Sequence, residues 1–319
     1  MKRKILLQLV VPLLSLCVLF LLLAFDPGQA HADEAPLEVS ILHRESDSTL
    51  WSAARQGMEQ AAADMGVELR FLAPSVSNQA EEQENLLSRE VAGGTDAIVL
   101  VPSDQSLLAE SVAAASTQTV VITMETEMAD SGAAAFVGVD NVALGEALGQ
   151  AVLNGVCVDG TVLLLNSVPG SNGISARLEA AAQVLEGAGR TVRIGSPSKA
   201  LGLSEALPAI LAADPPDAII AFEADALDLA AAAIQGMNPR PLLYGMGATD
   251  TIAAHLEQGV ITAIAAQNEF AAGYLAVDAA VRAVRREAGQ DTAPLAYTLV
   301  RKETMYHPDN QKLLFPVTR

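Results

Sequence analysis

Residues 93–104 read Gly-Gly-Thr-Asp-Ala-Ile-Val-Leu-Val-Pro-Ser-Asp, and this stretch decides the fold. Five apolar residues follow one another from Ala97 to Val101 with no polar residue between them. A strand over Asp96–Val101 would therefore bury both of its faces, which is the habit of a parallel sheet covered by helices on both sides. Asp104, just past the strand, is suited to start a helix by accepting backbone N–H bonds.

Outward from this stretch the same pattern repeats. Leu37–Leu42, Val67–Ala73, Thr119–Thr123 and Ala135–Val139 are further candidate strands, each apolar enough for burial on both faces. Between the first two, Leu50, Ala54, Met58, Ala61 and Met65 fall on one helical face, and Gly66 is a natural stop. Strands alternating with helices imply parallel βαβ units. The rhythm restarts after Gly160, with strands expected at Thr161–Asn166, Thr191–Gly195, Asp217–Phe222, Leu242–Met246 and Ile261–Ala265. The fold class expected is α/β, with two similar Rossmann-like lobes of parallel sheet. A last long helix, about Glu269–Ala288, comes after the second set of strands, so the chain should cross between lobes more than once. The crossings fall near Val139–Asp140, Gln267–Asn268 and Leu295–Thr298, giving one lobe from residues 37–139 plus 268–296 and another from 140–267 plus 297–319. A multi-crossing hinge of this kind lets two lobes close without separating.

The start of the chain bears on compartment. Lys2, Arg3 and Lys4 precede an apolar run from Ile5 to Phe25, and Ala30-His31-Ala32 supplies small residues at a cleavable spacing. Residues 1–32 read as a signal peptide, with retention as a membrane anchor the alternative, because the run approaches the roughly 20 residues a spanning helix needs. Lipid attachment at Cys17 is not expected after the bulky Leu16. The formal charge is −19, and loss of three basic residues and one acidic residue with that segment makes it −21, a poor balance for nucleic acid. Cys157 would then be the one cysteine left, so no intramolecular disulfide is expected in the exported chain.

Catalysis finds little support. His43, His255 and His307 are scattered, Gly170-Ser171-Asn172-Gly173 lacks the spacing of a nucleophile elbow, and no metal motif occurs. Neither an enzymatic activity nor a cofactor is expected. In open parallel sheets ligands sit beyond the carboxyl ends of strands. Those ends are His43–Asp47, Pro102–Gln105, Met124–Glu127, Asn166–Asn172, Glu223–Asp225 and Met246–Asp250. Their acids and amides, with Trp51 and Phe222 nearby, suit a hydroxyl-rich ligand.

At Gly57 to Gly66, Gly94-Thr95-Asp96-Ala97-Ile98, Pro102-Ser103-Asp104, Val121-Ile122-Thr123, Val139-Asp140-Asn141, Arg177 and Ala265-Ala266-Gln267, the chain resembles the type I periplasmic binding proteins for ribose, galactose and related sugars. The resemblance covers roughly residues 37–300. It implies an extracytoplasmic, monomeric solute-binding protein that takes a sugar-like small molecule by lobe closure and delivers it to the permease of an ABC transporter. Presentation of the closed form to a membrane histidine kinase is the alternative. It implies ligand contacts from Trp51 by stacking, from Glu125 to ring hydroxyls, from Arg177 across the cleft and from Gln267 at a crossing. Arg44, at the end of the first strand, is a further candidate for its several donors. Asp104 and Glu223, on the strand-end loops, and Asp140, at a crossing, complete the candidate set. Each has a plainer reading: Trp51 as core, Glu125 and Glu223 as surface acids, Asp104 and Asp140 as helix caps. Val101, Ala224 and Gly247 stand where the sugar binders carry polar residues, so the ligand should be held in a different way.

Overall fold

A computed structural model describes residues 36–47, 49, 51–197, 202–287 and 293–315. The export segment expected over residues 1–32 lies outside these residues. So do Leu50, Ala288 and Pro316.

The run that opened the sequence reading forms β3, Ala97–Leu100, at the centre of a five-stranded parallel sheet. Its neighbours are β1 (Glu38–Leu42), β2 (Glu68–Leu72), β4 (Val120–Met124) and β5 (Ala135–Val137), in the order β2-β1-β3-β4-β5. The side chains divide as a period of two requires: Ala97, Val99 and Val101 enter one core while Ile98 and Leu100 enter the other. The first core is closed by α1 (Ser52–Met65) and α9 (Glu269–Val284), the second by α2 (Ala80–Gly93) and α3 (Gln105–Ser116). Burying an Ile or Leu in this way stabilises by about 1.5–3 kcal/mol each. The expectation of two-faced burial fails at β2, whose Glu68 and Arg70 alternate with Leu69 and Phe71. It is an edge strand, and one of its faces meets solvent.

The second sheet has the order β11-β10-β9-β8-β6-β7, from β6 (Thr161–Leu165), β7 (Thr191–Gly195), β8 (Ala218–Ala221), β9 (Leu242–Met246), β10 (Ala263–Gln267) and β11 (Tyr297–Val300). On one face lie α4 (Asn141–Leu153) and α5 (Asn172–Gly187); on the other lie α6 (Leu203–Ala213), α7 (Ala224–Ile234), α8 (Asp250–Glu257) and α10 (Pro308–Leu314). β11 runs antiparallel to β10, an addition to the parallel plan that the sequence reading had taken for a crossing. Met305 and Leu314 are buried in the same core as α6–α8, so the C-terminal residues pack on this sheet.

α9 follows β10 in sequence but packs against α1 beside the first sheet. Two glycines permit the approach: a Cβ on Gly57 would stand 1.9 Å from the carbonyl oxygen of Phe270, and one on Gly273 would stand 1.9 Å from that of Ala54. The two helices touch through backbone, which only glycine allows at these positions. Val139 and Leu295 pair as an isolated parallel bridge, and Leu295 donates its N–H to Gly138 O at 2.8 Å, so two of the expected crossings lie side by side.

Candidate functional site

The carboxyl ends of both sheets face each other across a cavity of about 60 Å³. The segment after β1 supplies His43, Arg44 and Glu45, and the turn after β4 supplies Glu125. From the other sheet come Glu223 and Ala224 after β8, Met246 and Gly247 at the end of β9, Gln267 at the end of β10 and Arg177 from α5. Trp51 and Glu269 complete the wall.

Arg44 is the hub. Its Nη2 donates to Glu223 Oε2 at 2.6 Å and lies 3.5 Å from Glu125 Oε2, while Nη1 lies 3.0 Å from Glu45 Oε1 and donates to Asn78 Oδ1 at 3.0 Å. Burial works against the charge of this guanidinium, but Glu223, Glu45 and Glu125 outweigh it and hold Arg44 more firmly protonated than usual. Burial, with Arg44 adding to it, keeps His43 well below its ordinary range and so neutral. Burial also raises Glu45 to about 7, against the pull of Arg44. It raises Glu269 to about 7 as well, helped by Glu125.

Glu125 sits in the left-handed region, φ +63°, which is costly for a residue with a side chain. Asn141 Nδ2 donates to its carbonyl at 3.2 Å and fixes the turn. Asn141 Oδ1 in turn accepts from Arg177 Nε at 2.7 Å, and Arg177 Nη1 donates to Phe222 O at 2.7 Å. Arg177 is thus aimed by two bonds from its own lobe, and burial lowers its hold on the proton against the attraction of Glu125 and Glu223. Thr126 Oγ1 and Ser171 Oγ, 3.0 Å apart, and Gln105 N donating to Gly170 O at 3.0 Å add further ties between lobes.

Trp51 stands at the N-terminus of α1, 9% exposed, with its ring stacked on His43 at 4.3 Å and 10°. It belongs to none of the four apolar cores. Gln267 is 5% exposed, and its Nε2 donates to Glu269 Oε1 at 2.9 Å. Its Oε1 is buried and has no hydrogen-bond partner.

Six of the eight residues expected at the site therefore meet at one cavity: Arg44, Trp51, Glu125, Arg177, Glu223 and Gln267. Asp104 and Asp140 do not. Asp104 caps α3 by accepting from Ser106 N and Leu107 N and lines an interlobe cleft of about 900 Å³ that shares Glu223 with the cavity. Asp140 caps α4 by accepting from Ala143 N and lines another of about 780 Å³. The sequence reading missed Glu269. Its position two residues after the Gln267 crossing, in the first turn of α9, was the available signal. Among the described residues there is no group of three or more His, Cys, Asp or Glu able to hold a metal ion, and no helix is long and apolar enough to cross a membrane.

The model of the periplasmic binding protein domain matches residues 39–290. Comparison with curated proteins gives no match. Among solved structures, a carbohydrate transporter solute-binding protein from Agrobacterium radiobacter, in complex with D-arabinose, is similar with a TM-score of 0.81 at 19% identity, over 88% of this chain and 99% of that one. An ABC transporter solute-binding protein from Agrobacterium vitis with bound D-fucose gives 0.79 at 20%, over 87% and 100%. A chain of the XylFII-LytSN complex gives 0.76 at 18%, over 84% and 98%.

Proposed function

The chain belongs to the family of periplasmic binding protein domains, and from that premise we propose that it captures a monosaccharide-sized polar ligand between its lobes and delivers it to an ABC transporter permease. The observation that carries this reading is the cavity itself, walled by strand ends of both sheets and holding a buried amide oxygen, Gln267 Oε1, that lacks a donor. A buried acceptor left alone costs about 1–3 kcal/mol, which a ligand hydroxyl or amine would recover. The sugars bound by the similar structures support the size and class of ligand.

At about 60 Å³ the cavity is smaller than the roughly 300 Å³ at which ligand pockets begin, so entry requires the lobes to part. We take the lobes as residues 37–139 with 268–296, and 140–267 with 297–319. The crossings at Gly138–Asp140, Gln267–Asn268 and Leu295 are their hinge. Arg44, Trp51, Glu125, Arg177, Glu223 and Gln267 are the ligand residues, and the protein acts as an extracytoplasmic monomer with no cofactor and no catalytic step. The basic residues and apolar run at the start of the chain and the family's name support that location.

A thermal-shift screen of sugars, polyols and sugar acids tests the reading. A ligand at 100 times its dissociation constant should add about 2.7 kcal/mol of stability. No response across the panel would overturn it. The complex containing XylFII favours a second reading, in which the closed form is presented to a membrane sensor kinase. Pull-down of a neighbouring permease or kinase by the liganded protein separates the two.

A further inference from the structure

Four carboxylates line the cavity, those of Glu45, Glu125, Glu223 and Glu269, against two guanidiniums, Arg44 and Arg177. His43 is buried and adds no positive charge. Glu45 and Glu269 stand near 7 and are each about half ionised at neutral pH, so the wall carries an excess of about one negative charge. Arg44 is already divided among Glu223, Glu45 and Glu125. Arg177 donates Nε to Asn141 and Nη1 to the Phe222 carbonyl, both neutral acceptors, and among the described residues no carboxylate lies within ion-pair distance of it. Buried charge without a partner is costly, and the wall holds an excess of one sign.

A second observation names what is lacking. Gln267 gives its amide N–H to Glu269 Oε1, which leaves its Oε1, in a residue 5% exposed, without a donor. With Glu269 ionised, the opposite amide orientation would set two acceptors against each other. The unfilled place at Gln267 is thus an acceptor beside a carboxylate, while Trp51 Nε1 in the same wall lacks an acceptor, which a ring hydroxyl can supply. A protonated amine has three N–H donors, no acceptor and a positive charge, so it can satisfy Gln267 Oε1, pair with Glu269 and reduce the excess negative charge together. A neutral hydroxyl satisfies the amide and leaves the charge, and a sugar acid adds to the excess.

We propose that the ligand of this cavity is an amine-bearing monosaccharide or cyclitol whose ammonium group is held by Gln267 Oε1 and Glu269. This rests on the reading of the cavity as the ligand site and refines the chemical class.

Calorimetric titration of the purified full-length chain at pH 7 tests it, with three matched sets as probes: glucose, glucosamine and glucuronate; galactose, galactosamine and galacturonate; and inositol with aminodeoxyinositol. The amine of the best-bound set should bind about tenfold tighter than its neutral parent, the gain of a charged over a neutral hydrogen bond. Glu269→Gln should reduce that preference to less than about threefold. Circular dichroism of the variant checks its fold, and Gln267→Glu, which adds a carboxylate, should widen the preference. A neutral parent or acid that binds as tightly as its amine overturns this inference and leaves the sugar-binding reading standing. If no probe binds at all, the reading of the cavity falls and this inference with it.

Discussion

Arg44 Nη2 and Glu223 Oε2 meet at 2.6 Å across 179 positions of sequence, each held by a different sheet. Both side chains are buried, and the contact spans the cavity. It ties the lobes directly, where Gln105 to Gly170 and Thr126 to Ser171 tie them at the rim.

Glu223→Ala should release this tie. Removing one member of a buried pair costs about 3–5 kcal/mol if the other stays buried, and opening of the lobes relieves it by rehydrating Arg44. The ligand-free variant should keep its circular-dichroism spectrum and show a larger radius of gyration by small-angle scattering than wild type. An unchanged radius would mean that the pair does not hold the lobes together.

Stability should depend on pH through Glu45 and Glu269. Both sit near 7 when folded, above the ordinary 4.5, so each favours the folded closed state when protonated. That contribution is fully present below about 4.5 and is lost as pH rises through about 7. Thermal melts of the ligand-free chain should therefore show a falling melting temperature between pH 5 and 8, by roughly 3 kcal/mol at most for Glu45. Glu45→Gln should flatten the curve; a variant with the wild-type slope would contradict the assignment.

The close approach of α1 and α9 predicts a sharp penalty for a single methyl. Gly57→Ala or Gly273→Ala should cost about 1–3 kcal/mol, because backbone must move to admit the new atom. Gly187→Ala, at the end of α5 where a Cβ meets nothing within 4 Å, serves as control and should melt no lower than wild type. Equal melting of all the variants would show that the helix contact gives way freely.

Trp51 separates the ligand role from the core role. It is buried, packing on His43 and beside Phe71 at the border of the first sheet's core. Trp51→Ala should stay folded and weaken ligand binding by roughly 1–3 kcal/mol, measured by calorimetry. Loss of the ligand-free fold would return Trp51 to the role of core packing.

Much of this was legible in the residues, for identifiable reasons. The unbroken apolar run at Ala97–Val101 left no exposed face, so the doubly covered sheet followed from it. Edge strands were less legible: β2 carries Glu68 and Arg70, and its one wet face appears only once its place in the sheet order is known. β11 escaped because its pairing is antiparallel and lies after the last crossing. At the cavity, side chains at strand ends converge because parallel topology puts them together. Asp104 came in by the same rule and Asp140 by its place at a crossing, and one oxygen of each accepts from a helix N-terminus. Glu269 was missed because its place depends on which way the first turn of α9 faces, a matter of three-dimensional packing.

A crystal structure with the tightest-binding sugar from the screen is the most direct test of the account. We expect one molecule in the cavity between the lobes, within hydrogen-bond distance of Gln267 Oε1 and Glu125, with Arg44 or Arg177 on it and Trp51 beside it. A ligand bound to a single lobe, or in the cleft lined by Phe136 and Asn141 with the central cavity unchanged, would contradict it.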